Sequence, residues 1–183
     1  DLCLMRPTPA GYVLAAACVC APSRWCLSDK IGRNLAEIHE PVPRYRTTLE
    51  RPVDRFFDRI RTDRPVWRLN WTIHDTDAPF QPSSPPPRTI EPDRFPQELF
   101  LRVERQTLRR LPKSGDVLFT IRTYIHPLAD VVAVPDAAAR LAEAVAGLPA
   151  DVRSYRSLDH FADALVAWLR ARTDVAKNGA RPG

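Results

Sequence analysis

Two short stretches of this 183-residue chain concentrate side chains able to do acid-base or charge-stabilising chemistry. Within Leu99 to Leu111, Arg102, Glu104 and Gln106 fall at every second position, and within Val117 to Ile125, Thr120, Arg122 and Tyr124 do the same. Alternate residues of an extended chain share a face, so each triplet is a polar stripe along a strand. Side by side in an antiparallel pair, the stripes form a patch of opposed charge, Arg102 and Arg122 with Glu104, beside the Tyr124 phenol. Fixed guanidinium and phenol donors stabilise negative charge that develops on a bound group. A carboxylate in the same patch holds an ammonium or removes its proton. The plain alternative is a pair of strands turning a wet face to solvent, with Arg–Glu pairs contributing on the order of a few tenths of a kcal/mol.

The chain has four histidines, His39, His74, His126 and His160. His39 ends a short helical piece just before Glu40-Pro41-Val42-Pro43, so its ring can project from a helix end. Its structural alternative is a favourable interaction with the helix dipole, worth under about 1 kcal/mol. His160 has the spacing of an exposed helix position. The four cysteines, Cys3, Cys18, Cys20 and Cys26, include no C-x-x-C pair, so a metal site made of them is not expected. Cys3 and Cys18 read as small buried hydrophobes on strands, and a reducing cytoplasm fits this cysteine usage.

A net charge of +5 raises nucleic acid as a partner. The basic residues are mostly arginine, scattered among acids as in RPVDRFFDRIRTDRP, and no basic face interleaved with aromatics emerges, so no nucleic-acid partner is expected. The longest apolar run, Tyr12 to Cys20, falls far short of the ~20 residues of a membrane helix, so no membrane partner is expected either. The chain opens at Asp1 directly in an apolar run, which reads as a piece of a longer protein whose N-terminus is truncated.

These side chains need elements to position them. Leu2 to Met5 and Tyr12 to Cys20 read as two strands joined by a turn in RPTPAG. Short helical turns follow, one after Ser28-Asp29 and one capped by Asn34 through His39. A longer helix at Leu49 to Ile60 puts Leu49, Val53, Phe56, Phe57 and Ile60 on one stripe, expected to be core. Val66 to His74 alternates as a strand, with Trp67, Leu69, Trp71 and Ile73 opposite Arg68, Asn70, Thr72 and His74. Ala78 to Pro96 is a proline-rich loop, and two strands, Leu99 to Leu111 and Val117 to Ile125, meet at a turn containing Gly115. Helices are expected over Pro135 to Leu148 and Leu158 to Ala171, with a shorter piece at Asp151 to Tyr155. The predicted organisation is an α+β domain over 1–134, C-terminal helices over 135–173 packing on the same domain, and a disordered tail over 174–183. The order of elements is that of a PAS-like five-stranded antiparallel sheet with helices over one face and extra C-terminal helices, an order that the pattern alone does not separate from other α+β sheets.

Four segments carry a resemblance: PSRWCLSDKIGRNLAEIHEPVPRY (Pro22 to Tyr45), PVDRFFDRI (Pro52 to Ile60), WRLNWTIHD (Trp67 to Asp75) and LFLRVERQTLRRLPKSGDVLFTIRTYIHPL (Leu99 to Leu128). They resemble successive blocks of the family that includes the α subunit of haem-dependent oxidative N-demethylase. The resemblance implies a PAS-like domain binding haem b, which activates O2 to oxidise a small secondary amine of the dimethylamine kind. It also implies partner reductase subunits carrying FMN, a [2Fe–2S] cluster and NADPH, since this chain has no G-x-G-x-x-G fingerprint and no cluster-type cysteine spacing. Under that resemblance His39, on the helical side, becomes the iron ligand, with His74 and then His126 as alternatives and Trp71 beside the cofactor. Arg102, Glu104, Arg122 and Tyr124 become the catalytic face. Two other readings stay open: a haem PAS sensor of gas or redox state, and a non-haem α+β interaction module using the proline-rich loop.

Overall fold

The computed structural model describes residues 1–179, and side chains up to Thr173. Five strands, β1 (Leu2–Thr8), β2 (Gly11–Cys18), β3 (Val66–His74), β4 (Phe100–Arg110) and β5 (Val117–Pro127), form one open antiparallel sheet in the order β2-β1-β5-β4-β3. The described residues also hold seven α-helices: α1 (Leu35–Ile38), α2 (Glu50–Arg59), α3 (Phe95–Glu98), α4 (Leu128–Val132), α5 (Ala137–Ala146), α6 (Ala150–Tyr155) and α7 (Ala162–Gly179). The fold class is therefore α+β, as the alternation and turn chemistry predict.

The chain divides into two compact units. The first comprises Asp1–Trp71, Ala78–Ser84 and Val103–Tyr124. The β1–β2 hairpin turns at Gly11, whose φ of +94° is open to glycine at little cost, and its register slips between Leu4 and Met5. In β1, Cys3 and Met5 are buried, and they pair directly with Phe119 and Val117 of β5. With Leu108 of β4 they join Tyr12 and Leu14 of β2 and Leu35, Phe57 and Ile60 of the α1–α2 region in one apolar core. The helices thus cover one face of the sheet. Of the predicted α2 stripe, Phe57 and Ile60 are buried and Val53 is half-buried, but Leu49 and Phe56 are 41% and 43% exposed. The helix presents a narrower seam than its composition suggests: Leu49 lies before α2, in a π turn at Tyr45–Leu49, and Phe56 sits one position from the buried Phe57.

Arg110, at the end of β4, fastens this unit. Its guanidinium donates to the carbonyls of Gly115 (2.6 Å), Phe57 (2.6 Å) and Ile60 (2.8 Å), and to the Tyr12 hydroxyl (3.0 Å). One side chain therefore ties the β4–β5 turn, the end of α2 and β2 together, and it satisfies carbonyls that the helix end leaves open.

The second unit comprises Thr72–Asp77, Pro85–Arg102 and Ile125 onward. Leu141, Ala142 and Val145 of α5 and Leu165, Val166, Trp168 and Leu169 of α7 are buried, and Phe95 of α3 meets Trp168 edge-on at 6.0 Å. Arg153 caps α5 through the carbonyls of Ala146 (2.8 Å) and Leu148 (3.1 Å). Helix α4 follows directly on Pro127, the last residue of β5. The predicted first-turn place of Pro135 is not realised: Asp136, at φ +61°, precedes α5 instead. Helix α7 runs past the predicted end at Ala171 to Gly179, so the stretch from Asp174, expected as a disordered tail, is helical to that point. The remainder of that tail, 180–183, lies outside the described residues.

The cysteines divide. Cys3 is buried as expected, whereas Cys18 is exposed, because it lies on the face of β2 opposite the core, paired with Leu2. All four are free thiols.

Candidate functional site

The β4 stripe turns inward. Arg102, Glu104 and Gln106 are 1%, 9% and 6% exposed and alternate with the same parity as core residue Leu108. A solvated face is therefore not the right description of these three residues. Burying a carboxylate and a guanidinium is costly unless they are hydrogen-bonded, so the partners matter.

In the first unit the partners come from β3. The Arg68 Nε donates to Gln106 Oε1 (2.8 Å), Gln106 Nε2 donates to Glu104 Oε2 (3.0 Å), and Asn70 Nδ2 donates to the same oxygen at 3.5 Å. Arg68 and Asn70 share parity with Val66, which packs on the apolar core, so the polar side of β3 is its inner side. This chain of donors runs from exposed Arg68 through half-buried Asn70 and buried Gln106, and ends on one carboxylate oxygen of the buried Glu104, holding it in place.

His39 approaches the network from the helical side. Asn34 caps α1 by accepting from the Glu37 backbone N–H (3.0 Å), while the Glu37 carboxylate accepts from the Asn34 N–H (2.9 Å), a reciprocal box that fixes where the one-turn helix ends. His39 sits at that end, half-buried, with Nδ1 2.8 Å from the Leu35 carbonyl and its ring stacked on Tyr45 at 4.6 Å and 11°. A carbonyl can only accept, so Nδ1 carries the proton and the lone pair is on Nε2. Burial pushes the imidazole below its ordinary pKa, and the cations Lys30 and Arg68 push the same way, so the neutral ring is favoured. Tyr45 is 3% exposed, and its buried hydroxyl has no hydrogen-bond partner. Desolvation, followed by the nearby Asp54 and Glu50 carboxylates, pushes that phenol up to about 12, so it remains a donor.

The structure does not bring the two predicted triplets together. Phe119 and Val117 pair with the inward residues Cys3 and Met5, so alternation turns Thr120, Arg122 and Tyr124 outward. Arg122 is exposed, and its guanidinium lies over the Tyr124 ring at 5.3 Å. The expectation that Arg122 and Tyr124 face the same space as Glu104 is thereby corrected: two adjacent strands put equal-looking stripes on opposite faces because their registers differ by one residue in parity. Of the apolar stripe of β3, Trp67 and Leu69 are 62% and 58% exposed and Trp71 is half-buried, whereas Ile73, in the second unit, is buried. Sequence reasoning named Asn70 as a further candidate beside this sheet, but missed Gln106 as a bridge and Arg68 and Tyr45 as neighbours of Glu104 and His39. For Gln106 and Arg68 the signal was parity with Leu108 and Val66, the apolar residues that mark the inner face; Tyr45, in the turn before α2, carries no such signal.

In the second unit His74 and Arg102 are both buried, at 2% and 1% exposure. His126 is exposed on β5. His160, expected on an exposed helix surface, is instead half-buried just before α7, edge-on to Phe161 at 4.7 Å, with a buried, unpartnered Nε2. An apolar neighbour in the next position draws the ring inward.

The inner face of the first unit thus offers a neutral imidazole with a directed lone pair, a buried carboxylate and two positioned donors. Comparison with protein families finds a match over residues 1–166 to the family described as haem-dependent oxidative N-demethylase, alpha subunit-like. That span takes in both units nearly whole, and the chain belongs to this family.

Proposed function

We propose that this chain is a haem-binding subunit of an oxidative N-demethylase acting on a small secondary amine, with electrons supplied by reductase subunits. The observation that carries the reading is the His39 Nδ1 contact with the Leu35 carbonyl at 2.8 Å. It leaves Nε2 to donate to a metal, and a second hydrogen bond of this kind is what orients imidazole ligands and raises their basicity. Haem therefore fits the residues present: His39 would hold the iron from the helical side, and Tyr45, stacked on it, would keep the ring plane fixed. The PAS-like description is supported by a five-stranded antiparallel sheet with helices against one face. His74 is the alternative ligand from β3.

When bound, haem would supply activation of O2. The chain's own residues do the rest. Glu104, locked by Gln106 and Asn70, holds the protonated amine by charge and accepts its proton, so that the neutral amine is the species oxidised. Arg102, fully buried in the second unit, would be a fixed positive charge able to stabilise developing negative charge. Arg122 and Tyr124, being outward, are not assigned a catalytic part. For dimethylamine the overall change consumes one O2, two electrons and two protons and yields methylamine, formaldehyde and water. The absence of any helix long and apolar enough to cross a membrane, among the described residues, is compatible with a cytoplasmic setting.

The test is an absorption spectrum of the protein expressed with haem supply, followed by a formaldehyde assay with dimethylamine, NADPH, a reductase and O2. A Soret band with amine-dependent formaldehyde is the expected result. No Soret band would overturn the haem reading and leave an interaction module. A Soret band without formaldehyde from any small secondary amine would leave a sensor.

A further inference from the structure

The outward face of the sheet in the first unit has an unusual composition. Trp67 and Leu69 are 62% and 58% exposed on β3, an edge strand. Arg105 and Arg109 of β4 and Arg122 of β5 are exposed on the same side, with Tyr124 half-buried beside them. No Asp or Glu occupies an outward position of β3, β4 or β5 within this unit. Exposed tryptophan with tyrosine and arginine is the composition of interface anchors rather than of ordinary surface.

We infer that this face docks an acidic electron-carrier protein. The acidity follows from charge complementarity: three guanidinium groups and no carboxylate attract a surface rich in Asp and Glu, and repel a second copy of the same face. The size of the face fits a brief encounter. Five strands about 4.8 Å apart, each contributing about seven residues at roughly 3.3 Å, give a flat footprint of roughly 550 Å2, the scale of transient redox complexes. Nucleic acid fits less well. Arg105 lies over the Trp67 ring at 5.6 Å and Arg122 over the Tyr124 ring at 5.3 Å, so the aromatic faces on which bases would stack are already occupied. That the partner carries electrons rests on the proposed function, whereas the docking surface stands on its own exposure and charge.

The full chain is titrated calorimetrically with two acidic carriers, a plant-type [2Fe–2S] ferredoxin and a flavodoxin, at 20 and 300 mM NaCl. Binding of at least one, weakened roughly tenfold or more by the higher salt, is expected. The R105E/R122E variant, with folding checked by circular dichroism and haem content by absorption, should lose at least about tenfold in affinity. Trp67→Ser should weaken binding without altering the salt dependence. Failure of both carriers to bind at 20 mM NaCl, affinity unchanged by R105E/R122E, tight binding of an oligouridylate, or dimerisation through this face in sedimentation would each overturn the inference. Haem content is read independently, so loss of the cofactor assignment and loss of the docking surface are separate results.

Discussion

Replacing Arg110 with methionine removes four hydrogen bonds from one guanidinium, to three backbone carbonyls at 2.6–2.8 Å and one phenol at 3.0 Å. It also removes the guanidinium from over the Tyr12 ring at 5.9 Å. A hydrogen bond to a charged group contributes about 1.5–3 kcal/mol, but the four share one desolvated cation and do not add. Methionine keeps most of the side-chain volume, so cavity formation is small, and the main loss is of partners for carbonyls at the end of α2 and in the β4–β5 turn. Arg110 and these groups are part-buried, which lets water recover some of them. The expected destabilisation is about 3 kcal/mol, or roughly 6–12 °C in melting temperature for a chain of this size. Arg109→Met, one residue earlier and exposed, is the control and should lie within about 0.5 kcal/mol of the parent. Thermal melts followed by circular dichroism measure both. An Arg110→Met shift under about 2 °C, or equal shifts for the two variants, would refute the view that one arginine fastens turn, helix end and β2.

Asn34→Ala breaks the capping box and should destabilise by about 1 kcal/mol, with Asn34→Asp close to neutral; equal denaturant midpoints for the two would refute it. The His39 imidazole is held below its ordinary 6.5, so the folded state prefers it neutral while the unfolded chain protonates near 6.5. Its contribution to stability without haem is therefore present above pH 6.5 and fades as pH falls through the folded value, and His39→Gln should flatten melting temperature between pH 7.5 and 5.5; parallel curves would count against it. Glu104→Gln keeps the shape of the inner network but removes the charge, and should raise KM for the amine at least about tenfold with the Soret band retained, whereas an unchanged KM would exclude Glu104 from holding the substrate.

How much of this was legible in the sequence differs between element and face. Strand β3 was delimited at Val66 and His74 by alternation alone, and the β4–β5 turn by Gly115, whose φ is +75°. The Asn34 cap was legible because its chemistry is local. Which side of each strand faces the core was not, because β3 offers apolar residues on one side and β4 offers Leu101 and Val103 opposite its polar stripe. Apolar character therefore points the wrong way for Trp67 and Leu69. The deciding contacts are long-range: Leu108 and Val66 must meet the core that includes Cys3, Met5 and Phe57. Once they do, the period of two carries Gln106, Glu104, Arg68 and Asn70 inward. The outward turn of Arg122 and Tyr124 agrees with the alternation of Val117, Phe119 and Ile121 in β5 and is fixed by pairing with β1. His39 was readable as a helix-end residue, but its tautomer rests on the Leu35 carbonyl 2.8 Å away, which depends on how the turn closes.

The most direct test of the central claim is a cavity rescue at the proposed iron ligand. His39→Gly, produced with haem supply, is compared with the parent and with His74→Gly by absorption and electron paramagnetic resonance, each with and without added imidazole. The account predicts loss of the parent spectrum in His39→Gly and its return with imidazole, while His74→Gly keeps the parent spectrum throughout. An unaltered spectrum in His39→Gly, or loss and imidazole rescue in His74→Gly instead, would contradict it.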